Sequence, residues 1–127
     1  MSGRRTAAGA LIGVACTAII AAGCAGAGPT RQVPGASAQK GHDLILNYGC
    51  GACHQIGGVD GADGHVGPPL KNFQKSFPFI VGKLPNTPDN VARWIQNPQG
   101  IAPGAIMPNL GVRPQEARDI AAYLYSQ

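Results

Sequence analysis

Charge is scarce in this 127-residue chain. Asp, Glu, Lys and Arg together make up 13% of it, against ~25% in ordinary globular sequences. The first 42 residues hold no Asp or Glu, and the first 47 hold no Phe, Trp or Tyr. No run or stripe of Lys and Arg occurs, so a nucleic-acid-binding surface is not expected. Strand-like alternation is missing, which argues against a large sheet. Gly (19) and Pro (11) fill close to a quarter of the chain, about twice ordinary usage, which argues against a coiled coil or long helices throughout. An apolar share of 44% is too high for simple disorder. What remains is one small, loop-rich domain that needs something besides its own core to hold it together.

The N-terminal third reads as an address. Arg4 and Arg5 precede an uncharged stretch at 6–23 rich in Ala, Ile, Leu and Val. That is a signal peptide's order: basic, then apolar, then small residues at the cut. The expectation is export, to the periplasmic side of the cytoplasmic membrane. Ala21-Ala22-Gly23-Cys24 resembles a bacterial lipobox, in which Cys24 would become the lipid-bearing first residue; Ala21 departs from the Leu usual there. A plain cut near Ala25-Gly26-Ala27 and an uncleaved membrane anchor are the alternatives, since about 18–20 apolar residues are enough to span. Cys16 would leave with the signal. Setting Arg4 and Arg5 aside leaves eight basic against six acidic side chains, a mild balance. The chain thus divides into a signal peptide of lipoprotein type (1–23), a flexible Gly/Ala/Pro-rich linker (24–38) and a domain (39–127).

Two cysteines belong to that domain, Cys50 and Cys53, followed at once by His54. Cys-Gly-Ala-Cys-His is the C-x-x-C-H pattern of c-type haem attachment. Two thiols about one helical turn apart reach the two vinyl groups of a porphyrin, and the next imidazole becomes the proximal iron ligand. A thioredoxin-like pair would need a βαβ setting, which is not visible. A zinc site would need ligands beyond these three, leaving His42 or His65. For a second axial ligand, Met107 is the one methionine besides Met1. It sits in Pro103-Gly104-Ala105-Ile106-Met107-Pro108, a segment suited to an extended drape over a haem face. Core packing is the ordinary fate of Met, and His42 and His65 are rival ligands.

Three helices are expected. The first covers about 39–49, with Leu44, Ile45 and Tyr48 on its apolar side. The second begins at Thr87-Pro88-Asp89, a cap, a first-turn Pro and a first-turn acid, and ends before Pro98. The third follows Pro114, with Ala117, Ile120, Ala121 and Leu124 on one side and Arg113 a poor cap.

The ordered set Gly41-His42-Asp43-Leu44, Gly49-Cys50-Gly51-Ala52-Cys53-His54, Gly67-Pro68-Pro69-Leu70, Asn97-Pro98, Pro103-Gly104, Met107-Pro108 and Ile120-Ala121-Ala122-Tyr123-Leu124 resembles a class I cytochrome c across 39–127. The look is that of bacterial monohaem cytochromes and of the cytochrome-c domain fused to subunit II of some haem–copper oxidases. The resemblance implies an all-α fold, three main helices and long loops wrapped around one covalently bound haem c. It implies a carrier of single electrons and no enzyme, with iron held by His54 and Met107. Partners would be a quinol–cytochrome c reductase, a terminal oxidase or a dehydrogenase, met as a monomer or as a subunit of a redox complex. By position, the Pro68 carbonyl would orient the His54 ring, and Trp94 and Ile95 would lie against the haem near Met107. Gly41 and Tyr123 match the crossing of the first and last helices. Ala105 stands where many relatives have a Thr that bonds a haem propionate. Lys71, Lys75 and Lys83 would be docking charges or merely solvated. The rival class is a haem sensor or peroxidase-like protein whose sixth ligand leaves easily.

Overall fold

The computed structural model describes residues 31–127; the expected signal segment, Cys16 and Cys24 lie outside them. The described elements are α1 (Ala38–Asn47), a 3₁₀ turn (Cys50–Ala52), α2 (Phe73–Ser76), β1 (Phe79–Val81), β2 (Leu84–Pro85), α3 (Pro88–Gln96), α4 (Pro98–Ile101) and α5 (Pro114–Tyr125). The helices α1, α3 and α5 stand where the sequence places them, and α2 and α4 are additional single turns. The small antiparallel sheet is a departure from an all-α expectation. It pairs Phe79 with Pro85 and Val81 with Leu84. Strands of three and two residues are too short to leave an alternating signature, and Pro85 can close only an edge. No helix among the described residues is long and apolar enough to cross a membrane.

Local chemistry explains the helix starts. The Thr87 hydroxyl accepts the Asn90 N–H, and Pro88 fills the first turn of α3, where its missing donor costs nothing. The start of α5 has a less obvious device. Arg113 lacks a capping oxygen, but Glu116 reaches back and accepts the Arg113 backbone N–H at 3.1 Å, half of a capping box. The Tyr48 hydroxyl donates to the same carboxylate oxygen at 2.7 Å, so the end of α1 is tied to the start of α5.

Helix α5 is the spine of the fold. Against it lie α1, contributing Ile45, and α3, contributing Val91, Ala92 and Ile95; Ala117, Ile120, Ala121 and Leu124 of α5 are buried between them. Fully burying a Val, Leu, Ile or Phe side chain stabilises by about 1.5–3 kcal/mol, and most of the described buried hydrophobic residues are of these types. Gly41 makes the α1–α5 crossing possible: a Cβ there would sit 2.0 Å from the Asp119 carbonyl oxygen and 3.0 Å from Tyr123 Cβ. Any side chain would push the helices apart.

The expectation of a flexible linker fails over 31–37, its described part short of α1. Val33, the single bulky apolar residue of the stretch, is buried. The Ser37 N–H donates to Asp119 at 2.8 Å, Arg118 donates to the Pro34 carbonyl at 2.8 Å, and Gln115 donates to the Gly35 carbonyl at 3.0 Å. At the far end the Arg31 guanidinium lies 5.6 Å from the Tyr125 ring centroid and donates to the Asn86 carbonyl. Small side chains suggested freedom, yet the anchors are mainly backbone groups, which composition does not report.

Candidate haem site

The attachment motif folds as a tight turn. Gly49 turns the chain out of α1 in the left-handed conformation, at φ 68°. The 3₁₀ turn follows, and both the Cys53 and His54 N–H groups donate to the Cys50 carbonyl, at 3.2 and 3.0 Å. One turn therefore places both thiols and the imidazole together. Cys50 and Cys53 are not joined in a disulfide.

His54 is held from behind. Its Nδ1 lies 2.8 Å from the Pro68 carbonyl oxygen. A carbonyl only accepts, so Nδ1 carries a proton; in the neutral ring that leaves the Nε2 lone pair for a metal. Gly67 allows this approach, since a Cβ there would stand 2.3 Å from His54 Cε1. The loop behind the turn is equally close: Gly67 N–H donates to the Cys53 carbonyl at 2.8 Å, and Leu70 N–H to the Gln55 carbonyl at 2.7 Å.

These residues open onto a cavity of about 390 Å³, within the ~300–1,000 Å³ of small-molecule and cofactor sites. Cys50, Cys53, His54, Pro68, Trp94, Ile95 and Met107 all line it, and no Asp, Glu, Lys or Arg does. Of the three candidates for a second ligand, Met107 alone lines it. His42 lies on α1, edge-on to the Tyr123 ring at 5.4 Å and 3.1 Å from the Asp43 carboxylate. His65 is exposed and bonds Gln55 at 2.9 Å. Ala105 is part of the wall and offers no hydroxyl.

The sequence left part of that wall unread. Phe73, Phe77 and Ile80 line the cavity from α2 and β1, and their support is a buried Asn86. Its Nδ2 donates to the Phe77 carbonyl at 2.7 Å, while its Oδ1 accepts the Tyr125 hydroxyl. Tyr48 also lines the cavity, with its hydroxyl turned to Glu116. Arg113 and Tyr48 together hold the Glu116 carboxyl down to about 2, and the same bond raises the Tyr48 phenol. Asn86 carried no sequence signal; Tyr48 carried one, as an apolar residue on the first helix facing the motif.

Thiols one turn apart, an adjacent imidazole with its outer nitrogen satisfied, and apolar walls suit a covalently attached haem. The sequence model of the Cytochrome c family matches residues 38–127, and the chain belongs to that family. Its cofactor is haem c, bound covalently with its iron, and its chemistry is haem-based electron transfer. Among curated proteins, a cytochrome c oxidase subunit 2 from Alkalihalophilus pseudofirmus (strain ATCC BAA-2126 / JCM 17055 / OF4) is 32% identical over 90 residues. The match takes in 70% of this chain and 25% of that protein; the chain therefore spans about a quarter of its relative's length.

Proposed function

We propose that this protein is a monohaem cytochrome that shuttles single electrons between respiratory or dehydrogenase partners outside the cytoplasmic membrane, with His54 and Met107 as the two iron ligands. The observation that carries the reading is the single uncharged cavity onto which Cys50, Cys53, His54 and Met107 all face. When bound, haem supplies an iron that alternates between ferric and ferrous states. Cys50 and Cys53 fix its edge as thioethers. His54 offers Nε2, kept in register by Pro68. Met107 offers a soft sulfur that favours the ferrous state and raises the potential. The apolar walls exclude water and disfavour the extra ferric charge. Held by both His54 and Met107, the iron would have no place for substrate, which supports a carrier over an enzyme. The main helices α1, α3 and α5 and the intervening loops would enclose the group.

The relative's printed name supports a terminal oxidase as one partner, and a quinol–cytochrome c reductase or a dehydrogenase would serve as others, with the chain acting as a free monomer or as a subunit. Export, cleavage before Cys24 and lipidation of Cys24 would hold the domain at the periplasmic face. The test is a potentiometric titration of the full chain matured with haem in an exporting host. The reading expects one reversible one-electron wave, low-spin spectra in both states and no peroxide turnover. High-spin iron with peroxide consumption would support the peroxidase-like alternative. Membrane fractionation of wild type beside Cys24→Ser checks the anchor, which stands only if the variant leaves the membrane.

A further inference from the structure

Among the described residues, one side chain from outside holds the segment that bears Met107. Helix α4 is fixed at its start by Asn97, whose Oδ1 accepts the Gly100 N–H at 3.1 Å, and Pro98 beside it is buried. From α4, the Gln99 amide Nε2 donates to the Met107 carbonyl at 2.5 Å and approaches the Ala105 carbonyl at 3.4 Å. Between them the chain turns at Pro103-Gly104, with Gly104 at φ 87° and the Ala105 N–H on the Ala102 carbonyl at 3.0 Å. Both carbonyls thus turn to one donor while the chain bends at Ile106 and Met107. Ala105 and Met107 are half-buried; Ile106 is 84% exposed and lines the cavity with them.

We infer that Gln99 is a positioning residue for Met107. Its amide pins the bend at 105–107 through two carbonyls, so that the thioether stays at the cavity, and it resists the lifting of the segment by which Met107 would leave the iron. This rests on the reading of Met107 as an iron ligand.

The test uses the full chain matured with haem, with imidazole as a competing ligand for the ferric iron. The sulfur-to-iron charge-transfer band is read alongside. Gln99→Glu keeps the shape but turns the donor into an acceptor, Gln99→Ser removes the amide without adding charge, and Gln99→Lys restores a donor. Glu and Ser variants should bind imidazole about fivefold more tightly, the equilibrium worth of one amide–carbonyl bond, with a weakened band, and Lys should return toward wild type. If Gln99→Ser matches wild type, the positioning role falls, even where the charged variants differ. Met107→Ala separates the two ideas: loss of its band keeps the ligand reading whatever Gln99 does, and a retained band removes both. Should Gln99→Glu load no haem, the Ser and Lys variants decide alone.

Discussion

The two sides of the haem cavity are built differently. On the His54 side, backbone packs against backbone and ring: the Pro68 carbonyl holds Nδ1, Gly67 lies against the imidazole, and the neighbouring N–H groups are taken by Cys53 and Gln55. On the Met107 side, a Pro-Gly turn and one glutamine amide hold the segment. Main-chain contacts of the first kind cannot be exchanged one side chain at a time, whereas those of the second kind can. The His54 side is therefore the fixed half of the site, and the Met107 side the half that single side-chain substitutions can change.

The same substitution placed on each side sharpens that contrast. An added Cβ at Gly67 would stand 2.3 Å from His54 Cε1, and one at Gly100 2.3 Å from Asn97 Nδ2. The imidazole is pinned at Nδ1, so Gly67→Ala should cost about 1–3 kcal/mol and sharply lower the haem recovered per chain. The Asn97 amide can rotate away, so Gly100→Ala should cost only the α4 cap, about 0.5–2 kcal/mol, with haem loading kept. Haem-to-protein ratios and urea unfolding of both variants measure the difference; equal losses would remove it.

The tie between α1 and α5 gives a pH test on a wall shared by both sides. Glu116 has its carboxyl lowered from 4.5 to about 2 by Arg113 and Tyr48. The unfolded chain therefore binds this proton first as pH falls. The stabilisation is fully present above pH 4.5 and drains away as pH approaches 2. Melting temperatures of wild type and Glu116→Gln should differ at pH 6 and converge across that window. A constant gap down to the lower end would show that the carboxylate charge is not what matters.

The smallest effect is expected at Arg31. Its stacking on Tyr125 is worth about 0.5–1 kcal/mol at an exposed site. Arg31→Ala should loosen 31–37 in hydrogen exchange while the amides around His54 stay protected. Faster exchange at His54 would mean that the N-terminal segment braces the site itself.

What the sequence disclosed, and what it withheld, follows the range of the interactions. Contiguous chemistry was legible: Cys50-Gly51-Ala52-Cys53-His54 as a motif, Thr87-Pro88 as a helix start, and the apolar faces of α1, α3 and α5. Met107 emerged by counting. Contacts between distant, pattern-poor loops were not legible. Asn86 holds Phe77 and meets Tyr125, Gln99 spans to Met107, and 31–37 docks on α5 through backbone carbonyls. None of these leaves a periodicity, because polar side chains in loops carry no burial pattern. Arg113 shows the same limit in small form. It looked like a poor cap because the cap is supplied three residues later by Glu116.

On the function proposed above, one cavity presents two protein ligands to a single iron and leaves no open position. The visible spectrum of the reduced, haem-loaded protein before and after carbon monoxide tests it most directly. A sharp low-spin spectrum that the gas leaves unchanged is the predicted result. A clear shift on adding the gas would contradict the claim, and would make Met107 a ligand that yields to small molecules.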